Sequence, residues 1–324
     1  MGDVAMVVPV LRALCQKYPE LKITVLTRKF FTPFFNDIPN INVFSAEVKS
    51  KHKGVFGLYK LSKELKKLQI DAIADLHNVL RSNILKLFLF GKPCFQIDKG
   101  RAQKKALVSG ESFKQLKTTH QRYADVFEKL GFPIDLSNPT FPQKIVLEDN
   151  LLSIIGNTNK KRIGIAPFAA YSGKMYPLNL MKAVIKELSK NYSIVLFGGG
   201  EKEVEVLNAF EAEFENVVNV AGKLSLSDEL SVISNLNVML AMDSGNAHLA
   251  AMLGIKVITI WGVTHPYAGF LPFNQPSDYA LVADRVKFPE IPTSIYGNKY
   301  PEGYQVASGS VSPKTVVNKL ISVL

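Results

Sequence analysis

The chain holds two cysteines, Cys15 and Cys94, in 324 residues. That is too few for a disulfide framework or a cysteine-built metal cluster, and it fits a reducing cytoplasm. Its five histidines fall at no metal-ligand spacing, so no metal and no cofactor is expected. No apolar run approaches the length of a membrane span; Ile84–Phe90 and Val257–Trp261 are core-sized. The opening residues lack the basic stretch of a secretory signal and carry Asp3, and Met6 stands where lipidation of Gly2 wants Ser or Thr. Helix-turn-helix, zinc and base-stacking motifs are missing, so nucleic acid is not an expected partner. Acidic residues are scarce in the first half: residues 1–150 hold 24 Lys and Arg against 14 Asp and Glu, whereas residues 151–324 hold 15 against 14. That asymmetry points to a polyanionic partner for the first half, with a solvated surface the commoner reading for any single lysine.

What is present reads as α/β. The hydrophobic content of 47% is globular, and the length suffices for two domains. Strand-like runs at Lys22–Thr27, Ile41–Phe44, Ile70–Leu76 and Pro93–Ile97 alternate with helical spacing at Phe56–Leu68, Val79–Phe90 and Thr119–Leu130. Phe30, Phe31, Phe34 and Phe35 make an apolar helical segment, Lys99–Lys105 reads as a basic loop, and Gln143–Leu147 reads as an edge strand. The first residues read as a helix capped by Asp3, its first turn made irregular by Pro9. An α/β domain should open with a strand before such a helix, so this half is expected to lack its first strand.

A linker is read within Leu151–Lys160, at Gly156-Asn-Thr-Asn159. A second alternation follows, with strands at Arg162–Ala166, Ser193–Phe197, Asn216–Val220, Val238–Met242 and Lys256–Trp261. The expected division is 1–155, 160–311 and a final helix over 312–324. Two doubly wound halves in series imply a cleft between them.

The stretch from Ala241 to Phe270 offers the first candidate site. Asp243 and Ser244 are cap residues, Gly245 admits a close approach, and Gly245 and His248 share a helical face. Free amides, a hydroxyl and an imidazole at the carboxyl end of a parallel strand suit a diphosphate; a plain capped helix is an even alternative. Lys174 is a phosphate-binding lysine or, more commonly for such a loop, an exposed one. Thr264 and His265 face the cleft or cap the next turn. Phe197-Gly-Gly-Gly-Glu201 would let a nucleotide approach, although it is neither a full dinucleotide motif nor a Walker loop, and a structural turn is favoured. Asp3 is a general base or, as pattern alone prefers, a helix cap. Arg81, Lys99, Arg101 and Lys104, with Lys105, match phosphates or a solvated face.

Taken in order, these motifs resemble the glycosyltransferase family 9 heptosyltransferases of lipopolysaccharide core assembly, over nearly the whole chain. The residues are Gly2-Asp3-Val4 with Pro9-x-Leu11, Asp75-Leu-His-Asn-Val-Leu-Arg81, Lys174-x-Tyr176-Pro177, and Asp243-Ser-Gly-x-x-His248 followed by Trp261-Gly-Val-Thr-His-Pro266. The resemblance implies two Rossmann-like domains facing across a cleft, the GT-B architecture, with the final helix crossing back onto the first domain. It implies an inverting, metal-independent glycosyltransferase that moves a heptose from ADP-heptose to a lipopolysaccharide inner-core acceptor. The nucleotide-sugar donor would lie in the second half and the phosphorylated glycolipid acceptor in the basic first half. The enzyme would be cytoplasmic, in peripheral contact with the inner membrane face. The lack of any Asp-x-Asp agrees with a donor held without a divalent metal.

By the same resemblance Asp3 would be the general base, and Lys174 with the amides after Asp243 would stabilise the departing diphosphate. Asp243, Ser244, Gly245, His248, Glu201 and Thr264 would contact the donor, and Arg81, Lys99, Arg101 and Lys104 the acceptor. Family members carry a strand and a Ser-rich turn ahead of the Gly-Asp, where this sequence has Met1, so a misassigned or truncated start is expected. A related transferase using another nucleotide sugar, and a non-catalytic binder of nucleotide sugar or anionic glycolipid, are the alternatives.

Overall fold

Helices and strands alternate along residues 1–324, all of which are described by a computed structural model. In chain order they are α1 (Gly2–Lys17), β1 (Ile23–Thr27), β2 (Ile41–Ser45), α2 (Gly54–Lys66), β3 (Ile73–Asp75), α3 (Leu80–Phe88), β4 (Cys94–Gln96), α4 (Arg101–Val108), α5 (Thr119–Lys129) and α6 (Asp149–Ile155). The chain continues with β5 (Arg162–Ala166), α7 (Leu178–Leu188), β6 (Ser193–Leu196), α8 (Glu201–Glu213), β7 (Val217–Asn219), α9 (Leu226–Ser234), β8 (Val238–Met242), α10 (Gly245–Met252), β9 (Lys256–Trp261), β10 (Ala280–Val282) and α11 (Pro313–Val323). They gather into two units. One comprises Met1, Met6–Gly100 and Thr119–Thr140; the other comprises Gly2–Ala5, Arg101–Thr118 and Phe141–Leu324. Residues 101–118 and 141–155, read from sequence as part of the first domain, therefore belong to the second unit. None of the helices is long and apolar enough to cross a membrane.

The second unit is built on a six-stranded parallel sheet in the order β10-β9-β8-β5-β6-β7. Strands β5, β6 and β8 lie in its middle, and their near-continuous apolar runs are buried on both faces, as helices on either side of a parallel sheet demand. Gly164 in β5 is required by that packing, because a Cβ there would run into Leu236 and Met239. The chain winds outward from β5 through β6 to β7, then returns to β8 beside β5 and winds the other way. The crevice between the carboxyl ends of β5 and β8 is thus the switch point, where open parallel sheets take ligands.

The final helix does not cross to the first domain. It packs on α7, β8 and β9 of the second unit, and Val316, Val317, Leu320 and Val323 join the core there. Burying four such side chains contributes roughly 1.5–3 kcal/mol each. Lys256 Nζ and Lys161 Nζ donate to the carbonyls of Val323 and Leu324 and satisfy the helix end.

The first unit holds two separate parallel pairs, β1 with β2 and β3 with β4, and no strand joins them. The apolar face of α2 packs on α3 through Leu58, Leu61, Leu65, Leu85 and Leu89. Asp75, at the end of β3, accepts from the backbone N–H groups of His77 and Asn78 and from Ser82, and pairs with Lys86 at 2.7 Å. Burial alone would raise its carboxyl; Lys86, the Asn78 amide and Ser82 outweigh burial and hold it below the usual range.

Four local readings are corrected. The basic loop at Lys99–Lys105 is mostly helix, α4, because Ala, Gln, Lys and Leu are strong helix formers and Leu107 buries beside Ala268. Gln143–Leu147 forms no strand; Ile145 is pinned instead by the side chains of Ser234 and Asn235. The boundary stretch is part helix: Leu151–Ile155 ends α6, with Leu151 and Ile155 buried, and only Gly156–Asn159, the residues read as the linker, is irregular. Finally, α1 runs regularly from Gly2 through Pro9, and Asp3 lies inside its first turn rather than capping it. Pro9 has no N–H for the Ala5 carbonyl, and Ala5 is the last residue that groups with the second unit.

Candidate active site

Three turns at the carboxyl edge of the second unit's sheet carry the candidate residues. The turn after β5 presents Lys174, the turn after β8 presents Asp243 to His248, and the turn after β9 presents Thr264. The ammonium of Lys174 lies 2.8 Å from Asp243 Oδ2. Thr264 Oγ1 donates to the same oxygen at 2.9 Å. Asp243 and Thr264 are both buried, so this carboxylate is fixed by two neighbours rather than by water. Lys174 is therefore not a solvated loop lysine.

The turns are locked by close backbone packing. The Val263 N–H donates to the Gly173 carbonyl at 2.9 Å. A Cβ on Gly262 would collide with that carbonyl oxygen, and one on Gly297 would collide with the stem of Lys174. These glycines let three loops meet at backbone distance. Tyr176, fully buried, donates its hydroxyl to the Val311 carbonyl at 2.6 Å and anchors the Lys174 turn from behind. Burial pushes its phenol up to about 12.

At the start of α10, Ser244 is the N-cap residue, with extended backbone, but its side chain makes no capping bond. Its hydroxyl oxygen and Asn246 Oδ1 are buried without a hydrogen-bond partner. Orphaned polar groups at a helix start, beside a half-buried lysine, are groups that await a ligand. The helix also explains His248. Burial pushes its ring down to about 4 against the carboxylates of Asp243 and Asp3, so it is neutral at pH 7. It is a buried ring at the site, not a surface residue.

Asp3 reaches the same place. Gly2 lies against the start of α10 so closely that a Cβ would come within 3.2 Å of His248 Cδ2 and 3.7 Å of Gly245 Cα. Two helix N-termini, those of α1 and α10, thus meet within the second unit, and Asp3 is the exposed carboxylate between them.

Other candidates are dispersed. His265 caps the short helical turn at Pro266–Ala268, its Nδ1 accepting from the Tyr267 N–H. Glu201 is exposed at the start of α8, while Glu203, not singled out from sequence, folds back to the Gly199 N–H at 2.7 Å and closes the glycine turn. Arg81 is exposed at the start of α3 and Lys99 follows β4, both in the first unit. Arg101 and Lys104 belong to the second, where Lys104 lies over the Phe270 ring at 4.1 Å. Sequence reading missed Gly173, Gly262 and Gly297; a glycine inside a strand-end loop was the available signal for a close approach.

Comparison with known proteins places the chain in a family and a fold. The family model described as "Glycosyltransferase family 9 (heptosyltransferase)" matches residues 58–289. The lipopolysaccharide core heptosyltransferase OpsX of Haemophilus influenzae is 24% identical over 284 residues, spanning 85% of this chain and 80% of the relative. Two solved structures share the fold. One is the glycosyl transferase family 9 protein from Veillonella parvula, with a TM-score of 0.77 and 18% identity over 99% of this chain and 94% of that one. The other is the E. coli ADP-heptose lps heptosyltransferase II, with a TM-score of 0.70 and 21% identity over 99% and 95%.

Proposed function

The chain belongs to glycosyltransferase family 9, and from that premise we propose that it moves a heptose from ADP-heptose to a lipopolysaccharide inner-core acceptor, with inversion and without a metal. The observation that carries the reading is the convergence of the Lys174–Asp243 pair, the unpartnered start of α10 and Asp3 at one switch point. The donor's diphosphate would take the α10 amides and Ser244, with Lys174 held in line by Asp243 and Thr264. As the glycosidic bond to phosphate breaks, negative charge grows on the diphosphate, and preorganised donors act most strongly there. Asp3 would take the proton of the acceptor hydroxyl as its oxygen attacks the anomeric carbon from the opposite face. His248, neutral and buried, would wall the sugar rather than carry charge. Glu201 would meet the ribose.

Arg81, Lys99, Arg101 and Lys104 would pair with acceptor phosphates. Peripheral contact with an anionic membrane face is supported by α2, where Val55, Phe56 and Tyr59 are exposed among Lys53, Lys60 and Lys63. Such a helix, apolar tips among lysines, suits an interface.

The test offers purified protein ADP-heptose and a deep-truncated core acceptor and measures ADP release. Release that is abolished in Asp3→Ala, with donor binding retained, supports the assignment. Tight donor binding with no release from the wild-type chain favours a non-catalytic binder, and release with another nucleotide sugar alone favours a related transferase.

A further inference from the structure

A cavity of about 590 Å³ in the second unit is lined by none of the residues named above for the transfer. Its size falls in the range of small-molecule sites, about 300–1,000 Å³. One wall is the end of α4 and the turn after it, with Phe113; the other is the segment from Arg285 to Pro301. Two cations line it, Arg285 and Lys299, against a single carboxylate, Glu290.

Arg285 is held for use. Its guanidinium carbon lies 3.5 Å from the centroid of the Phe113 ring, and its Nε donates to the Ile291 carbonyl at 2.8 Å. Its terminal nitrogens bond no protein acceptor. Phe113 is itself braced edge-on by His265 and tilted against Tyr267, each at 4.9 Å. Lys299 forms no ion pair, yet its backbone is fixed: its carbonyl accepts from Thr293 at 2.7 Å and its N–H donates to Ser294 at 3.3 Å. A guanidinium fork braced on an aromatic ring, with an ammonium in the same cavity, fits a carboxylate or phosphate.

The cavity is also wired to the proposed donor turns. The Thr293 N–H donates to the Val263 carbonyl at 3.0 Å, next to Thr264. The hydroxyls of Tyr300 and Ser172 share a 2.7 Å hydrogen bond, two residues from Lys174.

We infer that this cavity binds a small carboxylated or phosphorylated polar ligand, such as an anionic sugar, with Arg285 and Lys299 on the anion and Phe113 bracing the guanidinium. Its assignment to a sugar of the acceptor rests on the transferase reading above; the binding itself does not. Titrations of the full chain with glucose 6-phosphate, glucuronate and glucose, each with and without saturating ADP, test it. One or both anionic sugars bind, glucose does not, and ADP and Lys174→Ala leave the binding intact. Lys299→Gln and Arg285→Gln each weaken it by about tenfold, the loss of one charge-assisted hydrogen bond. Lys299 is exposed, so its substitution keeps the fold if Arg285→Gln does not. Displacement by ADP, loss in Lys174→Ala, or unchanged binding in both cavity variants overturns the site. Anionic sugar binding without any heptose transfer overturns the transferase reading alone, and transfer with an unchanged acceptor KM in both variants overturns the acceptor assignment.

Discussion

Lys174 and Thr264 meet on one oxygen of Asp243, at 2.8 and 2.9 Å, so the lysine is already aimed before any ligand arrives. If its role is to stabilise a departing diphosphate, its effect is on the transition state more than on donor affinity. Lys174→Ala is expected to lower kcat by roughly 100-fold or more, in line with the loss of a single preorganised electrostatic donor, and to change donor KM less. Asp243→Asn leaves the lysine without its anchor and is expected to weaken both. Steady-state kinetics with ADP-heptose distinguish the two patterns; equal losses of kcat/KM through KM alone would assign Lys174 to simple binding.

Stability will depend on pH through buried histidines. His248 and His265 are each pushed by burial from 6.5 down to about 4, His265 with help from Arg285. The unfolded chain takes up these protons below 6.5 while the folded chain holds none until about 4. Their stabilisation is complete above pH 6.5 and is lost as pH falls toward 4, by on the order of 1–3 kcal/mol each. Glu229 works in the opposite sense: burial raises it from 4.5 to about 7, so its contribution is complete below pH 4.5 and is lost as pH rises through 7. Urea unfolding from pH 4 to 8 reads both slopes. His265→Asn should flatten the acid limb, and Glu229→Gln should raise stability at pH 8; no change in either variant refutes the assignment.

The terminal helix is integral to the second unit. Leu320 is fully buried among the core residues that α11 shares with α7 and the sheet. Leu320→Ala should cost about 2–5 kcal/mol, the usual range for a core leucine truncation. Denaturant midpoints report it, and a change within about 0.5 kcal/mol, the range of surface substitutions, would show that the helix docks elsewhere.

The proposed membrane contact would use a defined surface. Phe56 is 91% exposed on α2 and Phe90, just past α3, is 94% exposed. Phe56→Glu and Phe90→Glu should leave the thermal midpoint unchanged and reduce co-sedimentation with vesicles rich in anionic lipid, while wild-type binding falls with added salt. Equal sedimentation of both variants and wild type would remove α2 and α3 from that role.

The sequence by itself determined the alternation of strands and helices and the turns at Lys174, Asp243 and Thr264. These are local matters: β-branched runs, glycines at strand ends and helix-cap residues are set by neighbours a few positions away. Only the tertiary structure decided how those pieces are used. Asp3 read as a cap and is a first-turn carboxylate beside His248; His248 read as a surface option and is buried; Lys99–Lys105 read as a loop and is largely a helix seated through Leu107. The final helix read as crossing back and is buried on its own sheet. Each of these depends on contacts between residues tens to hundreds of positions apart, and no periodicity along the chain encodes which apolar face finds which partner.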